Sequence, residues 1–156
     1  MVNFREKMLS FRHLCYKNGY LFAAFLIPVI LMGIAYISFG IYPFGGRSVL
    51  SLDLNAQYVF YFDYVHDVIG NGESLMYSWS RNLSGEFMGI IGYYLASPFN
   101  ILVWIFPRSM ITEGLLTMML AKFGACGVTF ALFAHKSQKL SKTTAALFAP
   151  MYALCA

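Results

Sequence analysis

Two side chains of this sequence stand out for the chemistry that they could perform. Asp53 falls near the start of a predicted helix, where the helix dipole favours an ionised carboxylate by typically ~0.3–1 kcal/mol. A carboxylate there can accept a proton from a hydroxyl group, or bind a divalent cation beside a phosphate. The simpler alternative is that Asp53 only stabilises the first turn of its helix.

The second side chain, Lys122, interrupts an apolar run at residues 114–135. An ammonium at the centre of a membrane-spanning helix costs roughly 2.5–3.5 kcal/mol and usually faces a cavity or an anionic partner. Lys122 lies about nine residues, or ~14 Å, from the outer end of its helix. We therefore expect it to face a polar cavity and to attract a phosphate, with snorkelling to the surface as the alternative.

Other charged residues lie in the polar segment that contains Asp53. Arg47 and Arg81 are further candidates for phosphate binding. His66 has no partner at metal-ligand spacing, so we expect an ordinary structural role for it. The remaining acids are expected to form a solvated face: Asp63, Asp67 and Glu73.

The composition indicates the environment of these residues. Of the 156 residues, 59% are hydrophobic and 12% are charged, whereas a soluble domain carries about 25% charged residues. Such a chain leaves large apolar patches uncovered, which excludes a water-soluble monomer. The net charge of +4 is divided into blocks, since residues 1–19 and 122–142 are basic and residues 44–113 are acidic. That division is typical of membrane topology and gives no indication of nucleic-acid binding.

The first apolar run, residues 20–42, contains no charge. As a helix it would span roughly 34 Å, against a hydrocarbon core of about 30 Å. It predicts a transmembrane helix that includes Pro28, since a cleaved signal peptide would have a shorter apolar region. The basic residues before it predict that residues 1–19 are cytoplasmic.

The later apolar runs set the predicted topology. Residues 113–135 predict a second transmembrane helix, and the basic segment 136–142 should be cytoplasmic. That requires residues 87–107, broken by glycines and by Ser97-Pro98, to be interfacial or re-entrant within an extracytoplasmic loop of residues 43–112. If residues 87–107 crossed instead, residues 136–142 would lie outside. Residues 143–156 are too few to cross, so we expect the start of a truncated third helix.

Within the loop, residues 52–69 predict an amphipathic helix that lies along the membrane surface. Ser51 is the expected N-cap, and Gly70-Asn71-Gly72 is the expected stop. At 100° per residue, a largely polar stripe would contain Asp53, Gln57, Phe60, Tyr64 and Asp67. The opposite, apolar side would contain Leu54, Tyr58, Tyr61, Phe62, Val65, Val68 and Ile69.

Four stretches resemble, in order and spacing, the N-terminal part of the bacterial YfhO-type membrane proteins: SVLSLDLNAQYVFYF, YSWSRNLSGEFMG, YYLASPFNILVWIFP and LAKFGACGVTFALF. The resemblance covers the chain from about Tyr20 onward, and its most specific pieces are Asp53-Leu54 with Gln57-Tyr58, and Ser97-Pro98-Phe99-Asn100. It implies an all-α integral membrane fold, a multi-pass helical bundle like that of the GT-C glycosyltransferases. The remaining helices of the family are missing here, so we expect this chain to be inactive alone.

The same resemblance implies a function. An acidic residue of the first extracytoplasmic loop contributes to catalysis in such enzymes, and that role falls on Asp53. The donor would be a polyprenyl-phosphate-linked sugar, and the acceptor a cell-wall polymer such as lipoteichoic acid, at the outer face of the bacterial plasma membrane. The expected substrate-binding residues are Arg47, Gln57, Tyr58, Ser97, Asn100 and Lys122. A divalent cation is a candidate cofactor. The alternative is a non-catalytic membrane component that binds or transports lipids.

Overall fold

The computed structural model describes residues 4–79 and 85–155, and of residues 4–17 the backbone alone. The chain divides into two compact units by its internal contacts. One unit combines Met1–Ile34 with Leu120–Ala156, and the other is Ala35–Met119.

Three helices supply the first unit: α1 (Phe4–Ser38), the later part of α5 (Ile111–Lys136), and α6 (Lys142–Ala153). Two segments are long and apolar enough to cross a membrane, Asn18–Ser38 and Arg108–Lys136. Helix α1 ends four residues before the end of the predicted 20–42 helix. Gly40 takes a left-handed φ of 62° there, which a continuing α-helix does not allow.

Small residues let α1 and α5 pack closely in the first unit. A Cβ atom added to Gly127 would collide with the backbone oxygen of Ala24, and one added to Gly124 would meet the ring of Phe25 at 2.5 Å. Five buried alanines continue the packing: Ala24, Ala131, Ala134, Ala145 and Ala149. Close approach through small residues is the usual way in which helices associate within a membrane.

The second unit consists mainly of short elements. A π-turn (Leu54–Tyr58) leads into α2 (Val59–Asn71), and strands β1 (Tyr77–Ser78) and β2 (Gly85–Glu86) form an antiparallel pair. They are followed by α3 (Met88–Ile90), a π-turn (Ile91–Leu95), a 3-10 turn (Pro98–Asn100), α4 (Ile101–Ile105) and a 3-10 turn (Arg108–Met110). Helix α2 ends at Gly72, whose φ of 72° is left-handed, as expected of a glycine that terminates a helix.

One hydrophobic core joins these short elements to α5. Phe62 and Val65 of α2 and the fully buried Phe87 belong to it, together with Leu115 and Met118 from the first turns of α5. The loop therefore folds as a small body upon the beginning of a helix that is long enough to span.

Residues 87–107 form a sharply bent pair of helical segments. Met88–Leu95 and Pro98–Ile105 meet at 95°, because Ser97 is extended, with ψ 131°, and Pro98 starts a new helical turn. Two helices of the described chain could cross a membrane, or three if this bent pair counts as one span. The fold is that of a mainly helical membrane protein.

The structure corrects the predicted polar stripe of the loop helix. In the π-turn Leu54–Tyr58, hydrogen bonds reach five residues along the chain, so it shifts the helical phase by about one residue. Residues before and after the turn consequently do not follow one 100° progression. Tyr64, expected on the polar side, is buried, while Ile69 of the apolar side is exposed.

Candidate functional site

Asp53 is exposed at the start of the helical part of the loop. Its own backbone is helical, with φ −60° and ψ −29°, and its side chain caps no backbone N–H. A capping residue has an extended backbone and accepts such a bond, so the Asp53 side chain does not act as a hydrogen-bonding cap. Within the described residues, the Asp53 carboxylate makes no hydrogen bond or ion pair.

The residue before it has a strained backbone. Leu52 takes a left-handed φ of 47°, which is uncommon for a bulky side chain and costs on the order of 1–3 kcal/mol. Its carbonyl oxygen accepts the N–H groups of Asn55 at 3.1 Å and Ala56 at 3.0 Å. This turn makes Asp53 the first helical residue and leaves its carboxylate in solvent. Strain of this kind is often retained at functional sites.

Four aromatic rings, which we call the tyrosine cluster (Tyr58, Tyr61, Tyr93 and Tyr94), belong to the same compact unit as Asp53. The ring of Tyr94 contacts those of Tyr58, Tyr61 and Tyr93 at centroid distances of 4.9, 5.3 and 4.6 Å. The Asp53 carboxylate lies close enough to the Tyr94 hydroxyl to act on it electrostatically. Asp53 therefore precedes, by about one helical turn, the predicted binding residue Tyr58, whose ring belongs to the tyrosine cluster.

Asn100 and Ser97 hold the turn that carries Tyr94. The Asn100 side chain is 2% exposed, and its Nδ2 donates to the Tyr94 carbonyl oxygen at 3.3 Å. Its backbone N–H donates to the Ser97 carbonyl at 2.9 Å. Because Asn100 is buried and engaged, its position fits a positioning residue better than one that touches a substrate. Gln57 is half-buried on the π-turn.

The remaining predicted binding residues are not gathered around Asp53. Arg47 is exposed, and its backbone pairs with Gly40 and Tyr42. Lys122 belongs to the other compact unit, where its side chain is exposed on α5 and pairs with no carboxylate of the described residues. Arg81 lies outside the described residues.

An ion-pair cluster that the sequence did not reveal lies on the same loop. Arg108 donates from Nη1 to Asp67 Oδ1 at 2.6 Å, and from Nε and Nη2 to the two oxygens of Asp63 at 2.5 Å. Asp63 and Asp67, expected to form a solvated face, remain partly exposed, with side-chain exposures of 34% and 26%, but both are bound by one guanidinium. Their spacing of one helical turn was a signal for a shared cation, but nothing in the sequence indicated which one.

The described residues hold no group of three or more His, Cys, Asp and Glu side chains that could bind a metal ion. Asp53 therefore supplies a single carboxylate, which does not fit a protein-built metal site. His66 places its Nε2 in the interior, where it has no hydrogen-bond partner among those residues.

Residues 23–156 match the family described as "Bacterial membrane protein YfhO". The chain belongs to the YfhO family of bacterial membrane proteins. No curated protein and no solved structure matches it. The family match confirms the predicted resemblance, and with the two long apolar helices it supports a membrane location. In this YfhO-family protein, Asp53 and the tyrosine cluster belong to the segment of the sequence that connects the two candidate spans, Asn18–Ser38 and Arg108–Lys136.

Proposed function

We propose that this YfhO-family protein is part of a GT-C-type membrane glycosyltransferase. It transfers a sugar from a polyprenyl-phosphate donor to a cell-envelope acceptor such as lipoteichoic acid, at the outer face of the plasma membrane. The observation that carries the proposal is the exposed carboxylate of Asp53, which precedes Tyr58 of the tyrosine cluster by about one helical turn. A general base needs a carboxylate that a substrate hydroxyl can reach, and the exposure of Asp53 provides that access.

The other aspartates of the chain make Asp53 distinctive. The sequence contains three, and the oxygens of Asp63 and Asp67 receive the N–H groups of Arg108. Their lone pairs are already engaged, whereas Asp53 is exposed and unengaged among the described residues. Asp53 is the aspartate best placed to accept a proton.

The tyrosine cluster suits a sugar. A pyranose ring has an apolar C–H face that packs on an aromatic ring, and hydroxyl groups that pair with phenols; tyrosine offers both surfaces. Tyr93 is 82% exposed, so its ring is accessible to a ligand. These features support binding of a sugar next to Asp53.

In the proposed reaction, the acceptor hydroxyl gives its proton to the Asp53 carboxylate while its oxygen attacks the anomeric carbon of the donor sugar. The bond from that carbon to the phosphate oxygen breaks, and its electron pair leaves with polyprenyl phosphate. The configuration at the anomeric carbon is inverted. Arg47, which belongs to the same compact unit as Asp53, is the proposed group that stabilises the departing phosphate.

The donor class follows from the proposed topology. With the N-terminus in the cytoplasm, the segment that contains Asp53 lies outside. Nucleotide sugars are cytoplasmic, so transfer outside requires a donor carried by a lipid. Such a donor keeps its chain in the bilayer and presents its sugar at the surface, where the loop is folded on α5.

The decisive experiment replaces Asp53 by Asn, which keeps the shape and removes the base. In membranes that contain the full-length protein, we expect the transfer of labelled sugar from polyprenyl phosphate to envelope polymer to fall by about 10²–10⁴-fold, the usual contribution of general-base catalysis. Glu73→Gln is the matched control, because Glu73 is an exposed acid of the same loop. It should retain normal transfer.

Transfer that is unchanged in Asp53→Asn, at normal expression, would contradict the catalytic assignment. That result would favour the alternative of a non-catalytic component that binds or transports lipids.

A further inference from the structure

A short stretch of the loop exposes large apolar side chains. Leu75 is 44% exposed, Met76 63%, Tyr77 39% and Trp79 78%, and we call these four residues the hairpin patch. Residues 74–80 carry no charge, whereas Glu73 precedes them and Arg81 follows them. An apolar strip with charged flanks is the composition expected of a segment that enters a membrane interface.

The hairpin patch is held in place by buried contacts. The Tyr64 hydroxyl donates to the carbonyl oxygens of Ser74 at 2.8 Å and Tyr77 at 3.1 Å. The Phe87 N–H donates to the Met76 carbonyl at 2.9 Å, and the Phe87 ring packs on Tyr64 with a centroid distance of 4.5 Å. Because Phe87 and Tyr64 are buried, residues 74–77 are exposed while their backbone is held by the folded core.

The same hydrophobic core connects the hairpin to a candidate span. Phe87 and Tyr64 share it with Ile111, Leu115 and Met118, which lie in the first turns of the apolar segment Arg108–Lys136. The hairpin is thus anchored to the end of a helix that is long enough to cross the bilayer. In the proposed topology, this end of the helix lies at the outer membrane surface, so the patch is held near that surface.

We infer that the hairpin patch inserts into the headgroup-level interface of the lipid bilayer and anchors the loop there. Tryptophan and tyrosine favour this zone, because each combines an apolar ring with a polar group that stays hydrated. The rings of Tyr77 and Trp79 are in edge contact at 4.9 Å, so they would enter as one unit. The charged Glu73 remains among the headgroups.

A lipid surface fits this patch better than a protein partner. A stable protein interface buries about 800 Å² on each side. Four side chains that are 39–78% exposed provide well under that area. Insertion into lipid has no such threshold, since each apolar side chain gains roughly in proportion to the area that leaves water.

The two tryptophans of the chain allow a direct test. Trp104→Phe leaves Trp79 as the sole tryptophan, which can be excited selectively over tyrosine. The substitution costs no hydrogen bond within the described residues, because the Trp104 Nε1 has no partner among them. In vesicles of phosphatidylcholine brominated near the headgroup, we expect Trp79 emission to be blue-shifted and strongly quenched. Bromines at the end of the acyl chain should quench it less, and aqueous iodide should have little effect.

The matched control moves the tryptophan to the charged flank. Trp79→Phe and Trp104→Phe are combined with Glu73→Trp, which places the fluorophore at an exposed position just outside the patch. We expect iodide to quench it and bromolipid to quench it weakly.

Two results would overturn the inference. If iodide quenches Trp79 as well as it quenches the residue at position 73, the patch faces water. If neither quencher reaches Trp79, protein covers the patch. Should Trp104→Phe fail to fold, a nitroxide attached to Trp79→Cys, with Cys15, Cys126 and Cys155 replaced, gives the same answer through its relative accessibility to oxygen and to a water-soluble nickel complex.

Discussion

Arg108 binds Asp63 through two parallel contacts, from Nε to Oδ1 and from Nη2 to Oδ2, both at 2.5 Å. The planar guanidinium fits a carboxylate in this two-point manner, which an ammonium cannot reproduce. The 3-10 turn that precedes α5 (Arg108–Met110) is thereby tied to the middle of α2. A further contact, to Asp67 at 2.6 Å, extends the link along one turn of that helix.

We predict that Arg108→Ala lowers the thermal midpoint of the detergent-solubilised protein at low salt. The substitution leaves two carboxylates one helical turn apart, and they repel each other. Because the Arg108 side chain is 54% exposed, the effect should be small and should fade as salt screens the charges. Arg108→Lys should recover part of the loss, and Arg47→Ala is the control. An unchanged midpoint for Arg108→Ala at low salt would show that the cluster does not stabilise the loop.

Features that depend on neighbours in the sequence were predictable. The uncharged run at 20–42 predicted a spanning helix, and Asn18–Ser38 has the length and hydropathy of one. The break at Ser97-Pro98 follows from backbone sterics, since a residue before proline avoids the helical region. The end of α2 was likewise predictable from the sequence, because Gly72 takes the left-handed conformation that other residues avoid.

Features that depend on distant contacts were not predictable. Tyr64 is polar enough for a solvent-facing stripe, but its hydroxyl finds two carbonyl partners beyond the end of α2, which permits burial. Nothing in the sequence around Tyr94 indicated that the Asp53 carboxylate acts on it electrostatically. The π-turn is a local feature, yet no residue type specifies it, and it changes the face of every residue that follows.

Gly127 lies where α5 packs directly against the backbone of α1. We predict that Gly127→Ala destabilises the protein by about 1–3 kcal/mol, the usual cost of overpacking. The added methyl group would meet the rigid backbone oxygen of Ala24 and, at 3.3 Å, the ring of Pro28. Chemical unfolding in mixed micelles measures the change.

Gly33→Ala is the matched control for this substitution. Gly33 is also in a long helix, but a Cβ there has nothing within 4 Å, so the change should be neutral or slightly stabilising. If the two variants were destabilised equally, the cause would be the replacement of a helical glycine, and not a collision between α5 and α1.

Tyr42 should titrate at unusually high pH. Its hydrogen bond to Glu113, the negative charge of that residue and burial all raise the pKa of the Tyr42 phenol above its ordinary value of 10.0. The neutral phenol donates to the carboxylate, so this stabilisation is complete below pH 10 and is lost as the pH rises through the raised pKa. Tyrosine ¹³C NMR, with Tyr42→Phe for assignment, measures the titration.

Glu113→Gln removes the charge and keeps the side-chain size. It should bring the pKa of Tyr42 back towards its ordinary value. A Tyr42 titration that is identical in the wild type and in Glu113→Gln would exclude Glu113 as the cause.

The proposed topology places Ser74 outside the cell and Lys139 inside. Both residues are exposed, so a cysteine at either position should react wherever reagent is present. With Cys15, Cys126 and Cys155 replaced, an impermeant maleimide should label Ser74→Cys in intact cells, and should label Lys139→Cys only after permeabilisation. The basic segment 136–142 favours this arrangement, which requires the bent pair Met88–Leu95 and Pro98–Ile105 to return to the side from which it entered. Labelling of both positions in intact cells would show that the bent pair crosses the membrane as one broken span.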